Sequence, residues 1–215
     1  AAGAEVGAAE IVERYRKTEQ DEDRWQLVDR WLDLIPDGVK GQRPSLLLAQ
    51  AWSAYQRYKF EQMAQLIDRA ASLLEDSAQR EELAGELRFL QGGLQFWLGD
   101  LENSLRSLEE ARSLLPDAKK LAGGEPAMLL GVALYLNGEG ERGVRELHDG
   151  IRKTEAGDGI HISRLLAGLS FLHLLSGDLA ASGQEADRFR SVASDHDMAY
   201  TQAWGRYMEG CTGLH

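Results

Sequence analysis

Apolar positions along this chain fall into alternating blocks. A dense apolar stretch of three to four helical turns leads into a short break. An amphipathic stretch follows and closes on a polar or Pro/Gly interruption. Apolar residues spaced three and four apart mark helices, because 3.6 residues complete a turn. The blocks predict helix pairs over 45–58 and 60–74, 80–98 and 101–115, 126–137 and 141–154, and 160–176 and 179–193. Upstream, 8–18 and 24–35 form another pair, ended at Pro36. Downstream, 200–211 reads as a first helix whose partner is missing.

The breaks recur. Gly99-Asp100-Leu101 returns as Gly138-Glu139-Gly140 and as Gly177-Asp178-Leu179, in steps of 39 residues. A fixed period of this size marks a solenoid, one supersecondary unit stacked along an axis. The expected fold is therefore all-α: a right-handed superhelical solenoid of antiparallel helix pairs, forming one domain over 1–215. Small residues fit this reading. Ala51, Gly92, Gly131 and Ser170 lie seven residues before the turns, and Ala70, Ala111 and Gly150 twelve after them. Helices approach closely only where side chains are small. Phe189 breaks the pattern and predicts a wider spacing in its pair. Leu105, Leu108, Val144 and Leu147 supply the apolar stripe, and Pro116 ends a helix. A tetratricopeptide unit has the same order of small residue, turn, small residue and proline, with a period near 34 residues. The extra residues fall in the loops 117–125, 155–159 and 194–197. Asp100, Glu139 and Asp178 fit as N-caps of the second helices.

Composition narrows the function. Hydrophobic residues at 43% and charged residues at 27% describe a folded chain, and 4 prolines leave helices uninterrupted. The net charge of −11 repels phosphate backbones, so direct nucleic-acid binding is not expected. That charge solvates a helical surface or attracts a basic partner. A single cysteine, Cys211, excludes an intrachain disulfide, suits a reducing cytoplasmic compartment and reads as a buried, inert thiol. No run approaches the ~20 apolar residues of a bilayer span. The start lacks a methionine and the regions of a signal peptide, so the chain reads as a piece of a longer protein.

Several segments carry a resemblance. They are Trp31-Leu32-Asp33-Leu34-Ile35-Pro36 followed by Arg43-Pro44-Ser45-Leu46, then Phe96-Trp97-Leu98-Gly99-Asp100-Leu101, then 166–179, and finally Ala203-Trp204-Gly205-Arg206-Tyr207-Met208. In order and spacing, from about Trp25 to Cys211, they resemble the helical sensor region of large MalT-like regulators of the LuxR type. In that family an ATP-binding signalling domain precedes the repeats and a helix-turn-helix often follows. The resemblance implies a sensor or scaffold that works beside those ATPase and DNA-binding domains. Neither a phosphate loop nor a basic recognition helix occurs in these residues. Related repeats also sit in signalling ATPases with other outputs, and a stand-alone interaction scaffold fits the same residues.

The concave face of such a solenoid is lined by first helices. The register places Leu48, Trp52 and Tyr55 there, then Phe89, Phe96 and Trp97, then Met128, Val132 and Tyr135, then Phe171 and Leu174. Trp52, Tyr55, Phe89, Phe96, Trp97, Met128, Tyr135 and Phe171 are the candidate binding residues, for a small effector or for a peptide or protein partner. Packing against the next repeat is the structural alternative for each. No catalytic set is expected. The histidines lack the spacing of a helical metal pair, and His173 reads as an interhelical histidine. Acid runs such as Glu19–Asp23 and Glu81–Glu82 read as solvated helix ends. Ser104, Ser107, Ser170 and Ser182 lack a triad setting. No cofactor, metal or membrane is expected. Apolar faces at the two ends of the array make self-association a further expectation.

Overall fold

The computed structural model describes residues 2–115, 124–154, 158–195 and 199–213. The described residues are helices joined by turns and contain no strand, so the chain is all-α. The helices are α1 (Ala2–Asp21), α2 (Trp25–Asp33), α3 (Asp37–Lys40), α4 (Pro44–Gln56), α5 (Phe60–Leu74), α6 (Arg80–Trp97) and α7 (Leu101–Leu114), then α8 (Glu125–Leu136), α9 (Gly140–Lys153), α10 (Gly159–Ser176), α11 (Leu179–Asp195) and α12 (Ala199–Gly213). They divide into two compact units, Ala1–Leu121 and Ala122–His215. In the first, α4 packs on α5 and α6 on α7. In the second, α8 packs on α9, α10 on α11, and α11 on α12. The predicted helix end at Pro116, and most of the three inter-pair loops, lie outside the described residues.

Two features of the first unit were not legible. Helix α1 begins earlier and ends later than the predicted 8–18. Pro36 ends one helix as expected, yet it opens another: its carbonyl accepts from the backbone N–H groups of Val39 and Lys40 and so starts α3.

The turns inside the pairs share one hydrogen-bond pattern. Lys59 N–H donates to the Ala54 carbonyl, Asp100 to Gln95, Glu139 to Leu134 and Asp178 to His173, each at 2.9 Å. The residue before each of these donors is left-handed, with φ of 56° at Tyr58, 81° at Gly99, 90° at Gly138 and 78° at Gly177. This is the six-to-one closure that ends a helix through a left-handed residue. Glycine reaches that conformation without Cβ strain; Tyr58 does not.

Close approach follows the period as well. A Cβ on Gly92 would stand 2.8 Å from Leu108 Cγ, and one on Gly131 2.7 Å from Leu147 Cγ. Twelve residues on, Ser104 Oγ donates to the Gly92 carbonyl at 2.9 Å. At the matching place in the second unit a Cβ on Gly143 would stand 2.4 Å from the Gly131 carbonyl oxygen. In the last pair, Ser170 and Ser182 exchange hydroxyl-to-carbonyl bonds of 2.9 and 2.8 Å. The expected wide spacing at Phe189 is therefore corrected. Helices α10 and α11 meet at these two serines, while the buried Phe189 ring lies against Gly205 of α12.

The first unit also encloses an ion pair. Arg16 of α1 is fully buried and grips Glu86 of α6 through two bonds, of 2.6 and 2.7 Å. Its Nε donates to Ser45 Oγ at 2.9 Å and its Nη1 to Gln20 Oε1 at 3.2 Å. One side chain thereby ties three helices. Beside it Ala9, Val12, Val28, Leu32, Ile35, Leu46 and Ala49 form the apolar core under α1 and α2.

Candidate functional site

The aromatic residues of the first unit form two clusters with different fates. Trp52 and Tyr55 of α4 meet Phe89 of α6. Ring centroids lie 5.4 Å apart for Trp52–Phe89, 5.9 Å for Tyr55–Phe89 and 5.7 Å for Trp52–Tyr55. All three are buried. The expectation that Trp52, Tyr55 and Phe89 line a groove is thereby corrected. They glue one first helix to the next, because such rings remove more apolar surface from water there than any smaller residue could. The Trp52 indole N–H has no hydrogen-bond partner among the described residues, so packing alone holds that ring.

The second cluster sits where α4 and α6 end and α5 and α7 begin. Trp97 closes α6 and is 42% exposed; Tyr58, in the left-handed turn, is 47% exposed. Phe60 opens α5 and stacks on Trp97 at 5.9 Å with 21° between planes. Tyr58 stands edge-on to Trp97 at 5.3 Å and to Phe60 at 6.0 Å. Phe96 meets Trp97 at 5.4 Å and 90° and is itself half-buried. Exposed Leu98 extends the patch. Phe96 and Trp97 were among the sequence candidates; Tyr58 and Phe60 were missed. The signal that could have found Tyr58 is its place in a turn where the three related turns carry glycine.

Charge around this edge is mixed, with more acid than base. Arg57 is exposed but engaged, paired with Asp29 and lying over the Trp25 ring at 5.1 Å. Lys59 and Glu61 are exposed. Asp100 caps α7, its Oδ1 accepting from Asn103 N–H at 3.4 Å. Glu102 pairs with Arg106 at 3.3 Å on the surface. Of the other predicted caps, Asp178 Oδ1 accepts from Ala181 N–H at 3.0 Å. Glu139 does not cap α9: with one more methylene it reaches out to Arg142 instead, at 2.9 Å. That hydrogen bond, with the guanidinium charge, holds the Glu139 carboxyl below its ordinary value.

In the second unit the candidates stay apart. Met128 packs near Gly168 of α10, and the half-buried Tyr135 ring lies over Gly140. Phe171 is exposed. Among the described residues, no ring contact joins Tyr135 or Phe171 to another aromatic side chain. On α12, Trp204 and Tyr207 meet edge to face at 5.5 Å, beside an open hollow of about 540 Å³ lined by Tyr207, Gly210, Cys211 and Gly213. Cys211 is half-exposed, which corrects its reading as a buried thiol. A hydrogen bond with it raises the Tyr207 phenol above its ordinary value.

The other chemistry-bearing residues serve packing. Ser104, Ser170 and Ser182 bond across helix pairs, and Ser107 donates to Gln95 Oε1 at 2.8 Å. Among the described residues, no group of three or more His, Cys, Asp or Glu side chains could hold a metal ion. Helix α10 is, by length and mean hydropathy of 1.2, apolar enough to cross a bilayer, although the sequence pattern suggested no such run. Half of it is buried inside the second unit, where Arg164 pairs with Glu125 at 3.5 Å.

The chain matches no known protein-family profile, no curated protein and no solved structure.

Proposed function

We propose that this chain is a non-catalytic binding module whose helix pairs are units of a tetratricopeptide-like solenoid. The common turn closure and the close approach repeated at a 39-residue step support that reading of the fold. The observation that carries the function is the aromatic edge of Tyr58, Phe60, Phe96 and Trp97. Exposed rings in mutual contact are the usual anchors of recognition surfaces. Tyr58 keeps a strained backbone conformation to hold its ring there, and such strain concentrates at functional sites.

The module acts as the sensor or scaffold region of a MalT-like, LuxR-type cytoplasmic regulator, coupled to its ATPase and DNA-binding domains. That assignment rests on the sequence resemblance. Ligand binding would have to favour one arrangement of the regulator over another to transmit a signal. A specific observation favours a peptide or protein over a small effector: the rings fill one another's edges and offer a surface rather than a slot. The stand-alone scaffold reading shares this expectation.

Two measurements test the proposal. The full reading frame should encode a phosphate-loop domain before these repeats and a helix-turn-helix after them. A frame without either removes the regulator and leaves only the scaffold. Binding partners selected on the chain should lose affinity for the Trp97→Ala variant, while partners indifferent to it would remove the site.

A further inference from the structure

We infer that the occupant of the aromatic edge is a basic segment of another protein, anchored by an arginine stacked on Trp97. This rests on the binding-surface reading above and names the chemistry of its partner.

The argument is one of charge and shape. The chain as a whole carries −11, from 35 acidic against 24 basic side chains, so its field draws cationic partners toward the surface. At the aromatic edge the cations are few or already engaged. Arg57 is held by Asp29 and Trp25, and Arg106 by Glu102. Lys59 is the opposing charge. Against it stand Glu61 at the start of α5 and Asp100 at the start of α7, both exposed beside the rings. The last turns of α4 and α6, which lead into this edge, contain no basic residue.

The rings select among cations. Trp97 is 42% exposed and carries the largest π-system of the four rings, one face of it stacked on Phe60, and indole binds cations best. A guanidinium is planar, weakly hydrated and able to stack while its N–H groups reach a carboxylate; an ammonium stacks poorly. Asp100 lies three residues beyond Trp97, across the turn, and supplies that carboxylate. Leu98 and Phe96 continue the surface with apolar contact for residues flanking the arginine.

A random-peptide display library, panned on the chain and counter-selected on its Trp97→Ala variant, tests the inference. The expected outcome is enrichment of peptides pairing arginine with apolar residues. Affinity for a selected peptide should fall about tenfold in Trp97→Ala, the size of one well-shielded cation–π contact. Replacing the peptide's arginine by lysine should cost a comparable factor. Asp100→Asn keeps a good capping residue and removes only the charge; with Glu61→Gln it should weaken binding and flatten its salt dependence. Circular dichroism of each variant checks that its helices persist. Trp97-dependent peptides that are neutral or acidic would overturn the basic partner and leave the binding surface standing. Equal affinity for lysine and arginine peptides would overturn the stacked anchor. No Trp97-dependent enrichment would overturn the surface reading itself.

Discussion

Phe89 and Phe96 stand seven residues apart on the same helix, close to one face and about 10 Å along the axis. Phe89 is fully buried against Trp52 and Tyr55, whereas Phe96 belongs to the half-open cluster around Trp97. The two clusters use the same residue types on the same pair of helices. They differ in what lies over them. In the middle of α6 the neighbouring first helix is within ring contact; at its end the chain turns away. Burial here measures distance from the end of the hairpin rather than hydrophobicity.

The sharpest way to break this comparison is truncation in each cluster. Phe89→Ala should cost about 3–5 kcal/mol through the lost contacts and the cavity left behind. Trp97→Ala should cost less than about 1 kcal/mol, as a surface change. Urea unfolding of the two variants measures the difference, and equal losses would erase the distinction between the clusters.

Glu86→Ala, one turn before Phe89, should cost a similar 3–5 kcal/mol, because Arg16 would remain buried without its counter-charge. Replacing both partners by apolar residues of like volume should recover most of that loss. Hydrogen exchange should show the loss spread through α1, α4 and α6, the helices tied by Arg16.

The second unit extends the test to packing without rings. Gly143→Ala places its methyl against the Gly131 backbone, which cannot rotate aside, and should cost about 1–3 kcal/mol. Thermal unfolding reads this directly. A neutral result would mean that α8 and α9 separate at little cost.

Tyr58→Gly should act in the opposite sense on stability. Relief of the left-handed tyrosine is worth about 1–2 kcal/mol, reduced by the lost ring contacts and by the greater freedom of glycine when unfolded. A small rise in Tm, together with weaker binding at the aromatic edge, is the expected pair of results. A fall in Tm would show that the ring contacts outweigh the strain.

The smallest effect concerns Glu139. Its folded pKa is held below the ordinary value by Arg142. The pair's small support is therefore present above the unfolded pKa and is lost as pH falls through the folded value. In Arg142→Ala the carboxyl should titrate higher, as followed by NMR, with stability at neutral pH nearly unchanged because both groups are solvent-exposed.

Much of the fold was legible because it depends on local rules. Gly99, Gly138 and Gly177 mark their turns since few other residues close a helix through a left-handed position. Gly92 and Gly131 mark close approach since their neighbours Leu108 and Leu147 leave no room for a Cβ. The candidate site was legible only in part. Aromatic type and helical register put Trp52, Tyr55 and Phe89 on the same inner face as Phe96 and Trp97, and neither property reports depth. Tyr58 was missed because its one signal, standing where Gly99, Gly138 and Gly177 stand in the related turns, reports backbone position and not that its ring joins Trp97.

By itself, the sequence determined helices, their pairing and the period of their turns, since these follow from side-chain size, capping and backbone freedom within about forty residues of chain. Tertiary structure decided which rings are covered, that Arg16 meets Glu86 across 70 residues, and that Ser170 and Ser182 bond to each other's carbonyls. Those outcomes depend on how separate helices come to lie against one another, and no local preference along the chain encodes a distance between them.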